Sequence, residues 1–275
     1  MTTVTMPRRA WVEQVMGLPV SIHLRGAAVR DPGVAHAVAA SFAELRMIDA
    51  LFSTYRTDSE VSRVNTGQLA LADAHPMLRE IAELCELARD RTDGGFDARL
   101  PSPRGGTWWD PSGVVKGWAT ERAARSLAAV STLAGHDVSV NAGGDIAVSS
   151  GRRDSTGWRI GVEDPDRPGR LLLVVPLRQG GVATSGTAAR GLHIHDPRTG
   201  RPAQALRAAT VVGPSLLWAD VYATAAMVRG TGAQAWLEGL PAYDGVLVTA
   251  EGRVTATSGL AGLAPGQPEV LAADR

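Results

Sequence analysis

The sequence predicts an α+β fold, a largely antiparallel sheet with helices concentrated in the N-terminal half. Two observations carry this. Up to about Gly135, long segments repeat apolar residues at helical spacing and open on residues that start helices. Beyond it come short strand-like runs separated by turn residues, and gaps that short favour hairpins and antiparallel pairing.

Taken in order, Val20, Ile22 and Leu24 alternate with polar neighbours and predict a strand. Asp31-Pro32 reads as an N-cap with proline at the first helical position, opening a helix that runs to about Leu51. A second helix starts near Pro76 and stops before Gly94-Gly95, and a third follows Lys116-Gly117 and stops near Gly135. Strands are then expected at Asp137–Ala142, Asp145–Ser149, Trp158–Glu163, Leu171–Leu177 and Gly181–Ser185. The turn-rich stretch 151–157 is expected to join the second and third of these as a hairpin. A strand at Ala208–Gly213 precedes a helix from Ser215 to Arg229, with Gly230 as its stop. Val246–Thr257 reads as a last hairpin around Glu251-Gly252. The chain is expected to form one domain over residues 1–261, followed by a loose Ala/Pro/Gly-rich tail over 262–275.

With 28 acidic and 28 basic side chains among 275 residues the net charge is zero, and no basic run points to nucleic acid. No apolar run is long enough to span a membrane, and the first residues read as neither a signal peptide nor a lipoprotein leader. The expected location is therefore the cytoplasm. Cys85, the one cysteine, sits in a helical pattern and is expected in the core.

Of the 28 basic side chains, one is lysine, Lys116. An ammonium is a compact point charge and a guanidinium a wide fork, so a narrow or phosphate-facing pocket can demand the first. Codon bias would also leave a single lysine by chance. Asp220 and Thr224 stand four residues apart, on one face of the expected helix. Carboxylate and hydroxyl oxygens suit a hard cation such as magnesium, although Asp220 could equally serve the helix dipole from the first turn. Gly143-Gly144-Asp145 allows close approach of backbone N–H groups to a phosphate, or a plain hairpin turn. Thr184-Ser185 offers two hydroxyls at a strand end. His193 and His195 are expected on one strand face beside the turn Asp196–Gly200, where one histidine could act as a base or both could be plain surface histidines beside a turn.

Seven segments, in order, resemble the ApbE family of flavin transferases. They are the run Asp58–Asn65, Gly94–Asp97, Asp110–Ala119, Gly143–Asp145, Thr184–Gly186, His193–Gly200 and Ala219–Thr224. The resemblance implies an enzyme that binds FAD and magnesium and moves FMN onto a serine or threonine hydroxyl of an acceptor protein, releasing AMP. It implies a FAD site lined by Met16, Tyr55, Gly95, Phe96, Asp97, Asp110, Lys116 and Ile194, joined here by Gly143, Gly144, Asp145, Thr184 and Ser185. Magnesium would be held by Asp220, Thr224 and the Gly113 carbonyl, with the Ala223 carbonyl as a further donor. His193 fits the family's base, and Lys116 would stabilise charge on the pyrophosphate.

The chain departs from the family in several places. Phe96-Asp97 continues as Ala98-Arg99 rather than Pro-Thr, the segment from Asp97 to Asp110 is short, and Leu18 replaces a threonine after Met16-Gly17. Leu192-His193 replaces paired histidines, with His195 at an aliphatic position, and Glu121 stands where the family often has aspartate. A FAD pyrophosphatase releasing FMN and AMP, or a flavin-binding protein without catalysis, therefore stand as alternatives.

Overall fold

The β1–β2 hairpin, Arg8–Val15 and Leu18–Arg25, begins an eight-stranded sheet. The structure is a computed structural model that describes residues 6–101, 105–130, 133–187, 191 and 194–263. The sequence reading contained β2 but not β1. As the edge strand, β1 is half-exposed or exposed along most of its length, so its side chains carry little of the alternation that marks a buried strand.

Four helices follow before residue 130: α1 Pro32–Phe52, α2 Glu60–Asn65, α3 Pro76–Arg91 and α4 Ser112–Ala129. Asp31 caps α1, its carboxylate accepting from Gly33 N, with proline at N1 as expected. Ser59 caps the short α2, its hydroxyl accepting from Ser62 N. Between α3 and α4 the chain forms a small hairpin, β3 Arg99–Pro101 with β4 Thr107–Trp109.

The third long helix begins at Ser112 and ends at Ala129, so Lys116 and Gly117 lie inside it rather than before it. Gly113 and Gly117 argue against a helix on propensity, but packing overrides that. A Cβ on Gly113 would lie 2.8 Å from the Phe96 ring, and one on Gly117 would lie 3.1 Å from Leu216 O and 3.2 Å from Asp220 Cβ. The glycines let α4 pass close to its neighbours.

The later strands are β5 Asp137–Ala142, β6 Asp145–Ser150, β7 Trp158–Glu163, β8 Leu171–Leu177, β9 Gln179–Gly186, β10 Leu206–Gly213, β11 Asp244–Thr249 and β12 Val254–Ala256. Helices α5 Leu216–Arg229 and α6 Ala233–Glu238 interrupt them. The main sheet runs β1-β2-β5-β6-β9-β10-β11-β12, every neighbour antiparallel. Segment 151–157 is not the hairpin expected from sequence. β6 pairs with β9, whereas β7 pairs with β8 in a separate two-stranded sheet. The segment crosses between layers instead. Ser155 pins it, its hydroxyl donating to Asp137 Oδ2 at 2.6 Å and accepting from Gly157 N at 2.9 Å.

Alternating residues send side chains to opposite faces of the sheet. Val20, Ile22, Ala183 and Val211 pack with α1, α3, α4 and α5 into the larger core. Val148, Val182, Val212 and Val246 pack under Trp158, Ile160, Leu173 and Val175 of the β7–β8 layer. Cys85 joins the larger core as expected, and burial pushes its thiol up to about 12, against a Trp109 hydrogen bond that lowers it. No helix among the described residues is long and apolar enough to cross a membrane. The stretch expected as a loose tail lies outside the described residues from 264 onward.

Candidate functional site

Lys116, Asp145 and Asp220 meet at one end of the sheet, beneath the crossing of α4 and α5. The Lys116 ammonium contacts Asp145 Oδ2 and lies 3.6 Å from Asp220 Oδ1. Both carboxylates are buried, while the lysine side chain keeps 27% of its surface exposed. Asp220 Oδ2 is buried with no hydrogen-bond partner among the described residues. Asp220 lies in the second turn of α5, which removes the first-turn, helix-dipole account of it.

Two buried carboxylates face one ammonium, so with both carboxylates ionised these three side chains carry a net negative charge. Such a charge is costly unless another cation joins it. Burial raises the Asp220 carboxyl to about 7, Asp145 adds to the rise, and Lys116 opposes it.

Hydroxyls complete the site. Thr224, one turn beyond Asp220, shares a hydrogen bond of 3.1 Å with Ser185 Oγ. Thr184 Oγ1 and Thr210 Oγ1 are 2.8 Å apart. The β6–β9 ladder closes at Ile146 and Val182, and the Asp145 carboxylate then takes the next free donor, Thr184 N, at 3.1 Å. This fixes Asp145 at the strand end. The sequence read Gly143-Gly144-Asp145 as a phosphate-facing or plain hairpin turn; the hairpin is formed, and the Asp145 carboxylate meets Lys116 and Asp220.

Gly143 and Gly144 have φ of 60° and 101°, and form the two-residue turn between β5 and β6. Beside it, Met16 and Gly17, with φ of 56° and 71°, form the turn between β1 and β2. Gly143 N donates to Pro19 O, which ties the two tips together. A methionine at positive φ is unusual and costs about 1 kcal/mol or more, a strain found most often where a side chain has work to do.

The glycine-rich segment supports the helices. A Cβ on Gly95 would lie 3.1 Å from Thr92 O and 3.5 Å from Ala225 Cβ of α5. Phe96 is 6% exposed and lies against Gly113, the first turn of α4. Asp97 accepts from Arg99 N at 2.8 Å, and Asp110 from Ser112 N at 3.0 Å, both holding their own loops. Ile194 is half-buried against the larger core. Tyr55, in contrast, is 97% exposed. His193 lies outside the described residues. His195 is exposed and forms an isolated bridge with Pro202, so the strand face expected to carry both histidines is not formed at His195.

Two contributors were not assigned from sequence. Asn65, at the end of α2, donates from Nδ2 to Trp109 O and accepts from Trp109 N at Oδ1, both at 2.8 Å. Its amide acts as an extra strand, placing the residue next to Asp110. Asn65→Leu is expected to destabilise the protein by about 1–3 kcal/mol, since it strands a peptide N–H and C=O together. An unchanged melting curve would show that the pair contributes nothing. The other contributor is Glu121, buried where α4 meets the start of α5.

Fold and site thus define an α+β domain with a lysine-bridged pair of buried carboxylates at one sheet end. The chain belongs to the ApbE family, whose model matches residues 16–102 and 98–247. It is similar to an FAD:protein FMN transferase of Vibrio cholerae, 28% identical over 74% of this chain and 77% of that one. Another FAD:protein FMN transferase, from Salmonella typhimurium, is 33% identical over 44% of this chain, and the match spans only 37% of that relative's length. The fold is that of the ApbE protein from Thermotoga maritima, with a TM-score of 0.79, 20% identity, and 92% and 98% of the two chains covered. The apo flavinyl transferase ApbE of Pseudomonas stutzeri gives a TM-score of 0.78 at 23% identity, covering 98% and 100%.

Proposed function

We propose that this chain is a magnesium-dependent FAD:protein FMN transferase, which moves FMN from FAD to a serine or threonine hydroxyl of an acceptor protein and releases AMP. The observation that carries the reading is the cluster in which the Lys116 ammonium faces the buried carboxylates of Asp145 and Asp220, in a chain of the ApbE family. Asp220 Oδ2, buried and unpartnered among the described residues, fits a hard cation, and so does the Thr224 hydroxyl one turn away. Among the described residues no three His, Cys, Asp or Glu side chains gather into a metal site of their own, so the Gly113 carbonyl and oxygens of the substrate would complete the set. Magnesium, when bound, would offset charge on the pyrophosphate oxygens.

The protein's own groups would divide the remaining work. The Lys116 ammonium sits where it can trade part of its contact with Asp145 for a phosphate oxygen, and so stabilise charge that grows as the bond breaks. Met16, Gly143 and Gly144 bring main chain and an apolar side chain to the same end of the sheet, where a flavin and its phosphates would lie. In the reaction the acceptor oxygen forms a bond to the phosphorus on the FMN side. The bond from that phosphorus to the bridging oxygen breaks, and AMP leaves with the electron pair. The acceptor proton goes to a base, for which His193 is the candidate. Positioning and charge carry most of such a transfer.

The test is AMP release from FAD by the purified protein, in magnesium and in EDTA, with and without an acceptor carrying a Ser/Thr-Gly-Ala-Thr motif. Magnesium-dependent AMP that rises with acceptor, with a mass gain equal to FMN on the acceptor, is the expected result. AMP indifferent to acceptor would make the chain a FAD pyrophosphatase. Intact FAD after long incubation would leave a flavin-binding protein.

A further inference from the structure

We infer that Glu121 is a positioning residue: it sets where α5 begins, and thereby holds Asp220 and Thr224 opposite Lys116. The inference rests on the proposal that Asp220 and Thr224 hold a cation. Glu121 is only 8% exposed. A single oxygen, Oε2, accepts from Ser215 Oγ at 2.7 Å and from Leu217 N at 3.0 Å. Ser215 is the N-cap of α5, and its hydroxyl oxygen also faces Trp218 N at 3.5 Å. The carboxylate therefore caps α5 from a different helix, satisfying an N–H that has no partner within α5 and placing negative charge at the helix start. The other oxygen, Oε1, contacts Arg125 one turn on.

Geometry makes this cap matter at the site. Lys116 and Glu121 stand on the same helix, about 7.5 Å apart along its axis at 1.5 Å per residue. Between them lies Gly117, whose missing Cβ lets Leu216, Leu217 and Asp220 approach α4 closely. The α4–α5 contact is thus pinned at one end by Glu121 on Ser215 and Leu217, and read out at the other by Lys116 and Asp220 at 3.6 Å. Leu217 precedes Asp220 by three residues, less than one turn. A loosened start to α5 would therefore move the carboxylate directly.

The test measures cation binding apart from turnover. Mn2+ is titrated into wild type, E121A, E121Q and S215A in saturating FAD without acceptor, with the thermal shift as readout and FAD KM measured in parallel. E121A should raise the half-saturating Mn2+ concentration about tenfold or more, as loss of a group supporting a ligand does, while FAD KM moves less than about twofold. E121Q keeps an oxygen where Oε2 lies and should stay within about threefold of wild type. A residue that served only general stability would lower the melting temperature and leave half-saturation unchanged in E121A and S215A, and that result overturns the inference. So does E121Q weakened as much as E121A, because then charge and not placement would be at work. Wild type without any Mn2+ shift refutes the cation reading itself, a distinct outcome. If E121A does not fold, S215A, which removes one of the two contacts, decides.

Discussion

Asp220→Asn is expected to lower magnesium-dependent AMP release at least about a thousandfold, roughly 4 kcal/mol of lost transition-state stabilisation, and at the same time to stabilise the metal-free protein above pH 7. The two effects share a cause. Asp220 is buried beside Asp145, and Lys116 offsets only one of the two negative charges. Burial raises its carboxyl from the ordinary 3.8 to about 7, so the folded protein holds a proton that the unfolded chain has already lost. A raised folded-state value means that the stability gained from that proton is full below the unfolded value. It is lost as pH rises through about 7. In EDTA, wild type should therefore lose stability between about pH 4 and pH 7, by at most about 4 kcal/mol from this group, and Asp220→Asn should lose much less. Thermal melts across that range check it. A variant with the same pH slope as wild type would show that Asp220 ionises without penalty, and with that the argument for a compensating cation would fall. Retained magnesium-dependent turnover would dismiss the ligand assignment outright.

Lys116→Arg is expected to cost at least about a hundredfold in AMP release although the charge is kept. Lys116 reaches from α4 into the gap between Asp145 and Asp220, where its ammonium meets both carboxylates. A guanidinium is longer and planar, and would lock into a fork on one carboxylate instead of remaining a compact charge open to a phosphate. Lys116→Met, of similar length and without charge, separates the two requirements. If arginine works no better than methionine, shape decides. Activity of Lys116→Arg within threefold of wild type would mean that any cation serves, and that a lone lysine in an arginine-rich chain is an accident of composition.

The candidate site residues were more legible in the sequence than the path of the chain between them. Lys116 stood out by its rarity, and Asp220 and Thr224 by helical spacing that the structure reproduces in α5. Helices α1, α3 and α5 could be read because proline, serine and glycine at their ends act locally, through caps and fixed dihedrals. Strand β1 could not, since an edge strand has little buried side to report. The crossing at 151–157 resembled a hairpin turn because the same residues serve both, and only pairing with distant β9 distinguishes them. The start of α4 was misplaced for a related reason: glycine reads as a helix stop until the Phe96 ring and the Leu216–Asp220 backbone are seen against it.

What the sequence determined by itself is local and chemical: the α+β class, most element positions, the family, and the side chains proposed to hold a cation and a phosphate. Tertiary structure alone decided which of them meet. Asp145 joins Lys116 and Asp220 across gaps of 29 and 75 residues, and Asn65 and Glu121 act on segments 44 and 96 residues away. Contacts of that span arise from the closing of the sheet and the crossing of two helices. They depend on sterics and burial summed over the whole core, which leave no periodicity in the chain for a reader to find.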